Sequence, residues 1–466
     1  MQGDVLRIMR WLPQIIPTIL VLAAGTAAVL WWRTGVASVT ARIPGADHPP
    51  GLANMRTIDM AGQVITGTGK PGEGTGEWAQ FRGTGTGRST ETGLLKDPAQ
   101  AKILWTVDLG EGYAGPVVRK GCVYILDYSD SADVLRCLST ETGQEIWRHA
   151  YKVDTKRNHG MSRTIPAVDD SVAVTLGPQC QVVAVNCDDG RFLWGKDLVR
   201  DYGSKVPPWY AGQCPLLRDG RVYIAPAGDK VLLTALDAKT GAVLWEVPND
   251  LQWKMTHSSI VEVALEDRPT LVYCGSGGAI GVEESSGKIL WQSTDWKISI
   301  ATVPSPVDLG GGRILFTGGY GSGAMIGRVE KSGDTYALRV EKRMDPAVLG
   351  SEQQTPVLLA DGSGVMAVIP SGEMVFMNMD GSIRWHSGGG NRYGSGAYLV
   401  ADGAAYVIND TGTLSAVAAG PGGFQLFGSA TIIRGGSECW GPMALADGRL
   451  YLRDFTHLVC LDLRAK

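Results

Sequence analysis

The sequence predicts an all-β fold, an eight-bladed β-propeller of four-stranded antiparallel blades, on three observations. An eleven-residue phrase recurs, a tryptophan returns every 42 to 51 residues over positions 105 to 291, and each period holds a series of short apolar runs. A period of about 40–50 residues with about four strands is the repeat of a propeller blade.

The phrase is clearest at Ala235 to Trp245 (ALDAKTGAVLW), with a small residue first, Gly seventh and Trp eleventh. Cys137 to Trp147, Ala184 to Trp194 and Gly281 to Trp291 repeat it without a gap, and Phe376 to Trp385 repeats it one residue short. Each copy describes a hairpin: an apolar strand ends at a Leu-Asp-like pair, Gly supplies positive φ in the turn, and a second strand delivers an indole.

Composition excludes some functions. The formal charge of −4 provides no basic field for a phosphate backbone, so no nucleic-acid partner is expected. Eight cysteines in 466 residues are too sparse for a disulfide scaffold. Cys122 and Cys137 fall on adjacent strands of one hairpin, where a bridge is geometrically possible; buried thiols are the alternative. No CxxC, HxH, HExxH or CxxCH occurs, so no metal or haem site is expected.

Taken in order, residues 1–33 form an apolar segment, uncharged from Trp11 to Trp32 and flanked by Arg7, Arg10 and Arg33. That length spans a bilayer, and Trp11, Trp31 and Trp32 suit interfacial anchors. The competing reading is a cleaved signal ending near Val39-Thr40-Ala41; both readings export the rest. Residues 34–76, rich in Gly, Ala, Thr and Pro, are expected to be a flexible linker. The propeller is expected over 77–466, with Trp78-Ala79-Gln80-Phe81-Arg82-Gly83 docked on it as a clasp.

Eight units follow, traced by their first two strands from Pro116 to Arg453. The distance of 94 residues from Trp291 to Trp385 is two periods, so one unit lacks its tryptophan. Its outer strand is expected at Tyr336 to Val340. A second unit lacking it falls at Gly423 to Phe427, with Phe424 and Phe427 available instead. The last unit ends on its third strand, Leu458 to Leu463, and the strand Ile103 to Asp108 around Trp105 is expected to complete it. That pairing removes the last free edge.

The phrase resembles the tryptophan-docking repeat of pyrroloquinoline quinone (PQQ) dehydrogenases and of BamB-type outer-membrane assembly factors, and Trp-Ala-Gln-Phe-Arg-Gly is similar to the lead-in of many PQQ-like propellers. The resemblance implies that Trp105, Trp147, Trp194, Trp245, Trp291 and Trp385 wedge between neighbouring blades, and it says little of activity. The dehydrogenases would imply PQQ under a disulfide of adjacent cysteines, Ca²⁺ on acidic and amide side chains, and an Asp base. No two cysteines are adjacent here, and none before Cys122 offers the lipidation site of the assembly factor.

In a propeller the loops entering the innermost strands converge on the axis. They carry Tyr113, Arg163, Gln213, His257, Gln354, Arg392, Glu438 and Trp440, a candidate rim for an anionic ligand or a peptide; a solvated funnel is the alternative. His257 has no nucleophile beside it with a family signature, and Ser322 and Asp380 sit in turns, so no catalytic residue is assigned. The expectation is a membrane-anchored, extracytoplasmic, non-catalytic scaffold in the cell envelope. It would bind other envelope or membrane proteins, reach the membrane through residues 11–32 and need no cofactor. The first alternative is a PQQ-dependent alcohol or sugar dehydrogenase using PQQ and Ca²⁺, and the second a small-ligand sensor.

Overall fold

The computed structural model describes residues 21–29, 57–156, 162–265, 268–298, 300–333 and 335–465. Two compact units divide the chain, Met1–Pro49 and Pro50–Lys466. In the first, residues 21–29 are helical; the rest of the expected anchor and the linker up to residue 56 lie outside the described residues. No helix among the described residues is long and apolar enough to cross a membrane.

The second unit is the expected propeller of eight antiparallel sheets. From innermost to outermost strand, blade 1 runs from Val117–Arg119 to Glu145–Lys152, blade 2 from Ala167–Val168 to Phe192–Asp197, and blade 3 from Leu216–Arg218 to Val243–Pro248. Blade 4 runs from Val261–Leu265 to Ile289–Ser293, blade 5 from Val307–Gly310 to Thr335–Met344, and blade 6 from Val357–Leu358 to Ile383–His386. Blade 7 runs from Tyr398–Ala401 to Leu426–Thr431, and blade 8 from Ala444–Ala446 through His457–Asp462. The fourth strand of blade 8 is Lys102–Asp108, antiparallel to His457–Asp462 with Trp105 opposite Cys460. Closure by the N-terminal strand is therefore observed. It removes the exposed edge that the C-terminal strand would otherwise present.

The second strands are mostly buried, and wholly so at Val172–Leu176 and Ala404–Ile408, because neighbouring blades cover both faces of each sheet. Apolar side chains on both faces explain why these strands lack a polar alternation. All eight cysteines are buried free thiols. Cys122 lies opposite Ser139 and Cys137 opposite Tyr124, so the two are diagonal neighbours and not a bridged pair.

At the blade junctions the indole geometry repeats. Trp105 Nε1 donates to Thr140 O (3.1 Å), Trp147 to Cys187 O (3.0 Å), Trp194 to Ala238 O (2.8 Å) and Trp245 to Glu284 O (3.0 Å). Each acceptor is the fourth residue of the next blade's phrase. The phrase glycines Gly143, Gly190, Gly241 and Gly287 all have φ near +70° and lie under those rings. A Cβ on Gly190 would stand 2.5 Å from the Trp147 ring, so glycine is needed both for the turn and for the approach. Trp385 donates to Gly420 O at 2.8 Å.

Three junctions differ. Blade 5 has a hairpin of ten-residue strands, Gly323–Ser332 and Thr335–Met344, longer than the Tyr336 to Val340 segment expected from the sequence. Its strands continue past the point where the turn would sit, and Trp291 Nε1 is buried with no hydrogen-bond partner among the described residues. The register puts Lys342, opposite Ile326, in the tryptophan place of blade 5. Its Nζ donates to Asp380 O at 2.8 Å, and its stem lies over Gly381. In blade 7 that place is Gly428, opposite Ala416, and Asp97 from the N-terminal segment fills the space over it. Phe424 packs on Trp385 of blade 6, and Phe427 lies under Lys96, so neither phenylalanine replaces the missing indole.

Residues 57–76 also differ from the expected linker. Gln63–Thr66 add a fifth strand to the outer edge of blade 1, antiparallel to Glu145–Lys152, and Ile58 and Met60 are buried beside it. A segment that pairs its backbone with a sheet edge needs little apolar content, which is why composition marked it as a tether.

Candidate functional site

The loops entering the inner strands are tied by a chain of short side chains around the axis. Cys214 Sγ accepts from Ile165 N (3.3 Å), Ser259 Oγ from Cys214 N (2.9 Å), Ser305 Oγ from Ser259 N (3.0 Å) and Thr355 Oγ1 from Ser305 N (2.9 Å). Each loop is thus fixed by the next blade, and its preceding residues are held at the mouth of the channel.

There a cavity of about 340 Å³ opens, lined by Tyr113, Arg163, His257, Gln354 and Trp440 together with Phe81, Trp209 and Tyr320. Five of the eight rim residues predicted from sequence therefore meet in one place. Glu438 is bonded to them, since Tyr113 Oη donates to its carboxylate at 2.6 Å. Arg392 lines a neighbouring cavity beside blades 6 and 7, which Gln354 shares. Gln213 does not reach the mouth. It is fully buried, with Nε2 on Ala225 O (2.7 Å) and Oε1 on Ala225 N (2.9 Å), satisfying a strand end.

The bowl is aromatic with one cation. Tyr113 packs against Trp440 at 5.2 Å and Phe455 at 5.5 Å between ring centroids, and the Arg163 guanidinium lies 5.8 Å from the Tyr113 ring. Burial pulls the Arg163 pKa down to about 10, which leaves it charged at neutral pH. Burial first, and then the neighbouring Arg163, push His257 down to about 3; its ring bonds to Tyr210 O at 2.9 Å. His257 is therefore neutral and engaged. Trp440 Nε1 donates to Asp410 (2.8 Å), and Gln354 Nε2 to Trp440 O (3.0 Å).

Sequence reasoning missed Arg453. It is fully buried and donates to Ala114 O, Leu126 O, Gly110 O, Asp454 O and Phe455 O, so it holds the Tyr113 loop against blade 8. Its signal was an arginine directly after an apolar run, LYL at 450–452, a residue rarely buried without several acceptors.

The clasp closes the other end of the channel. Trp78 pairs with Val118, Ala79 O accepts from Val168 N (2.8 Å), and Arg82 Nη2 donates to Thr86 O (2.7 Å) and Pro356 O (2.6 Å). Phe81 lines both the rim cavity and a second cavity of about 440 Å³ on the far side, so it separates the two.

The eight-bladed ring and its repeat are similar to those of PQQ-like β-propellers. Residues 130–351 match the family described as outer membrane protein assembly factor BamB. BamB from Moraxella catarrhalis is similar in structure, at a TM-score of 0.56 and 14% identity over 78% of this chain and 98% of that one. Quinohemoprotein alcohol dehydrogenase ADHIIG from Pseudomonas putida HK5 scores 0.48 at 12% identity over 84% of this chain and 81% of that one. The computationally designed Ika8 protein scores 0.49 at 12% identity, over 79% and 99%. No curated protein matches the sequence. At these identities the likeness is one of fold.

The residues present do not fit PQQ with Ca²⁺. The rim cavity is lined by one arginine and a neutral histidine and by no carboxylate, and the described residues hold no group of three His, Cys, Asp or Glu able to bind a metal. A hard cation needs several oxygen ligands, acidic ones foremost.

Proposed function

We propose that the chain is a non-catalytic, protein-binding scaffold of the cell envelope, its propeller displayed on the extracytoplasmic side by the N-terminal apolar segment. The observation that carries this is the state of the rim. Tyr113, Glu438, Trp440, Asp410 and Gln354 are bonded to one another, His257 bonds a backbone carbonyl and Arg163 stacks on Tyr113, so the bowl is aromatic with one arginine and shows no free acid-base pair among the described residues. Aromatics and arginine are the side chains that anchor protein interfaces. The BamB family match and the Moraxella catarrhalis structure support protein partners in an outer-membrane setting.

The test is affinity capture from membranes with the full chain and with a Trp440→Ala, Arg163→Ala pair of rim variants. A defined partner, lost with both variants at unchanged melting temperature, supports the reading. Incubation with PQQ and Ca²⁺ followed by dye-coupled alcohol oxidation is the counter-test, and stoichiometric quinone with turnover overturns it.

A further inference from the structure

The clasp face shows a break in an otherwise regular pattern. Ladder pairing aligns one position across the eight inner strands: Val118 opposite Val123, Val168 opposite Ala173, Leu217 opposite Val222, Glu262 opposite Leu271, Asp308 opposite Ile314, Leu358 opposite Val365, Val400 opposite Ala405 and Leu445 opposite Leu450. Six are apolar, and the two on blades 4 and 5 are acidic.

The chain's own segment 78–89 bonds at this position in five blades. Trp78 exchanges both backbone bonds with Val118 (2.9 Å each), Ala79 O takes Val168 N, and Gln80 Oε1 takes Leu217 N (3.3 Å). After the turn at Gly83 and Gly85, Arg88 Nη1 donates to Leu358 O (2.9 Å), and Gly87 and Ser89 bond both groups of Val400 (3.0 and 2.9 Å). Among the described residues, nothing in this segment bonds to Glu262 or Asp308. The second cavity, about 440 Å³, lies in that gap, floored by Leu216, Ile260, Val261 and Leu309 and walled by Phe81.

We infer that this gap is a docking groove for an extended, basic peptide segment of a partner protein, which adds to the inner edges of blades 4 and 5 as the clasp does elsewhere. Main-chain bonds to an open edge supply affinity, and side chains at alternate places supply specificity. Here the alternate places meet apolar floor and carboxylate in turn. Asp308 is held facing this edge by Ala264 N (3.2 Å) and Gly310 N (2.7 Å). Glu262 pairs with Arg218, whose side chain is 46% exposed, so that ion pair is solvent-screened and exchanges at little cost. Arg82 and Arg88 on the opposite wall are committed to the carbonyls of Thr86, Pro356 and Leu358. The groove stands on the register of the blades, at the opposite end of the channel from the rim, and does not depend on the rim reading.

The test uses the full chain in zwitterionic nanodiscs, with empty discs as blank, and two fluorescein-labelled peptides, one alternating Val with Lys and one alternating Val with Glu. The Val/Lys peptide should bind and slow amide exchange in Val261–Leu265 and Val307–Gly310. The pair Glu262→Lys, Asp308→Lys should weaken it by about tenfold or more. Glu262→Gln, which keeps the shape, should weaken it by a smaller factor and replaces the pair if the pair does not fold. Equal binding of the two peptides, protection elsewhere only, or no binding would each overturn the proposal. If Glu262→Val with Asp308→Val causes aggregation without peptide binding in the parent, the acids serve only to guard an exposed edge.

Discussion

The junction between blades 2 and 3 and that between blades 4 and 5 carry the same indole on the same strand of the same repeat. Trp194 sits over Gly241 and donates to Ala238 O, while Trp291 is as deeply buried and its Nε1 finds no acceptor among the described residues. The difference lies in the receiving blade. Blade 3 offers a tight turn whose fourth residue turns its carbonyl outward, and blade 5 replaces that turn with a longer hairpin. The value of the tryptophan is therefore set by the turn it meets, and the two halves of the phrase act across different blades.

The largest effect should come from breaking a junction altogether. Deleting residues 103–108 removes the outer strand of blade 8 together with Trp105, and cooperative thermal unfolding should be lost; a truncated chain that keeps its melting temperature contradicts ring closure. Next, Trp194→Ala should cost about 3–5 kcal/mol in denaturant unfolding, since it empties a buried indole site. We infer from the same geometry that the indoles act as blade-to-blade staples.

A pH effect sharpens the comparison because it lies apart from both junctions. Burial raises the Asp133 carboxyl to about 6, against the hydrogen bonds from Ser162 Oγ and Tyr151 Oη. The folded state then holds a proton that the unfolded state releases near pH 4. This contribution to stability is present below pH 4 and is lost as pH rises to about 6, by about 2 kcal/mol. Asp133→Asn should flatten the melting temperature over that range, and neither tryptophan variant should change the slope.

Trp194→Phe should cost about 1 kcal/mol more than Trp291→Phe, because only the former loses a hydrogen bond and strands its acceptor. Equal costs would break the comparison. Smallest of all, Lys342→Met should cost about 0.5 kcal/mol, since its bond to Asp380 O is partly exposed, and it should lose its salt dependence if the ammonium is the contact.

How much of this was legible follows from the same physics. Blade count, closure by Trp105 and the hairpin turns were readable because Gly143, Gly190, Gly241 and Gly287 must adopt positive φ under a ring, which leaves a fixed spacing in sequence. Lys342 was not readable, because a lysine stem fills the indole site without any spacing of its own. The fifth strand at Gln63–Thr66 was hidden for a related reason: edge pairing uses backbone, which composition does not record. At the rim, loop position alone brought Tyr113, Arg163, His257, Gln354 and Trp440 together, whereas Gln213 was misplaced because its amide turns back to Ala225. Arg453 went unremarked because its five acceptors come from three separate stretches of chain.

The scaffold reading is tested most directly by photo-crosslinking in cells from Tyr320, which is 41% exposed and lines the rim cavity, with Gly220, in the turn between the two inner strands of blade 3 at the opposite end of the channel, as control. The account predicts one defined protein adduct from position 320, absent from position 220 and abolished by Trp440→Ala. A rim that gives no adduct, or an adduct equally strong from position 220, would contradict it.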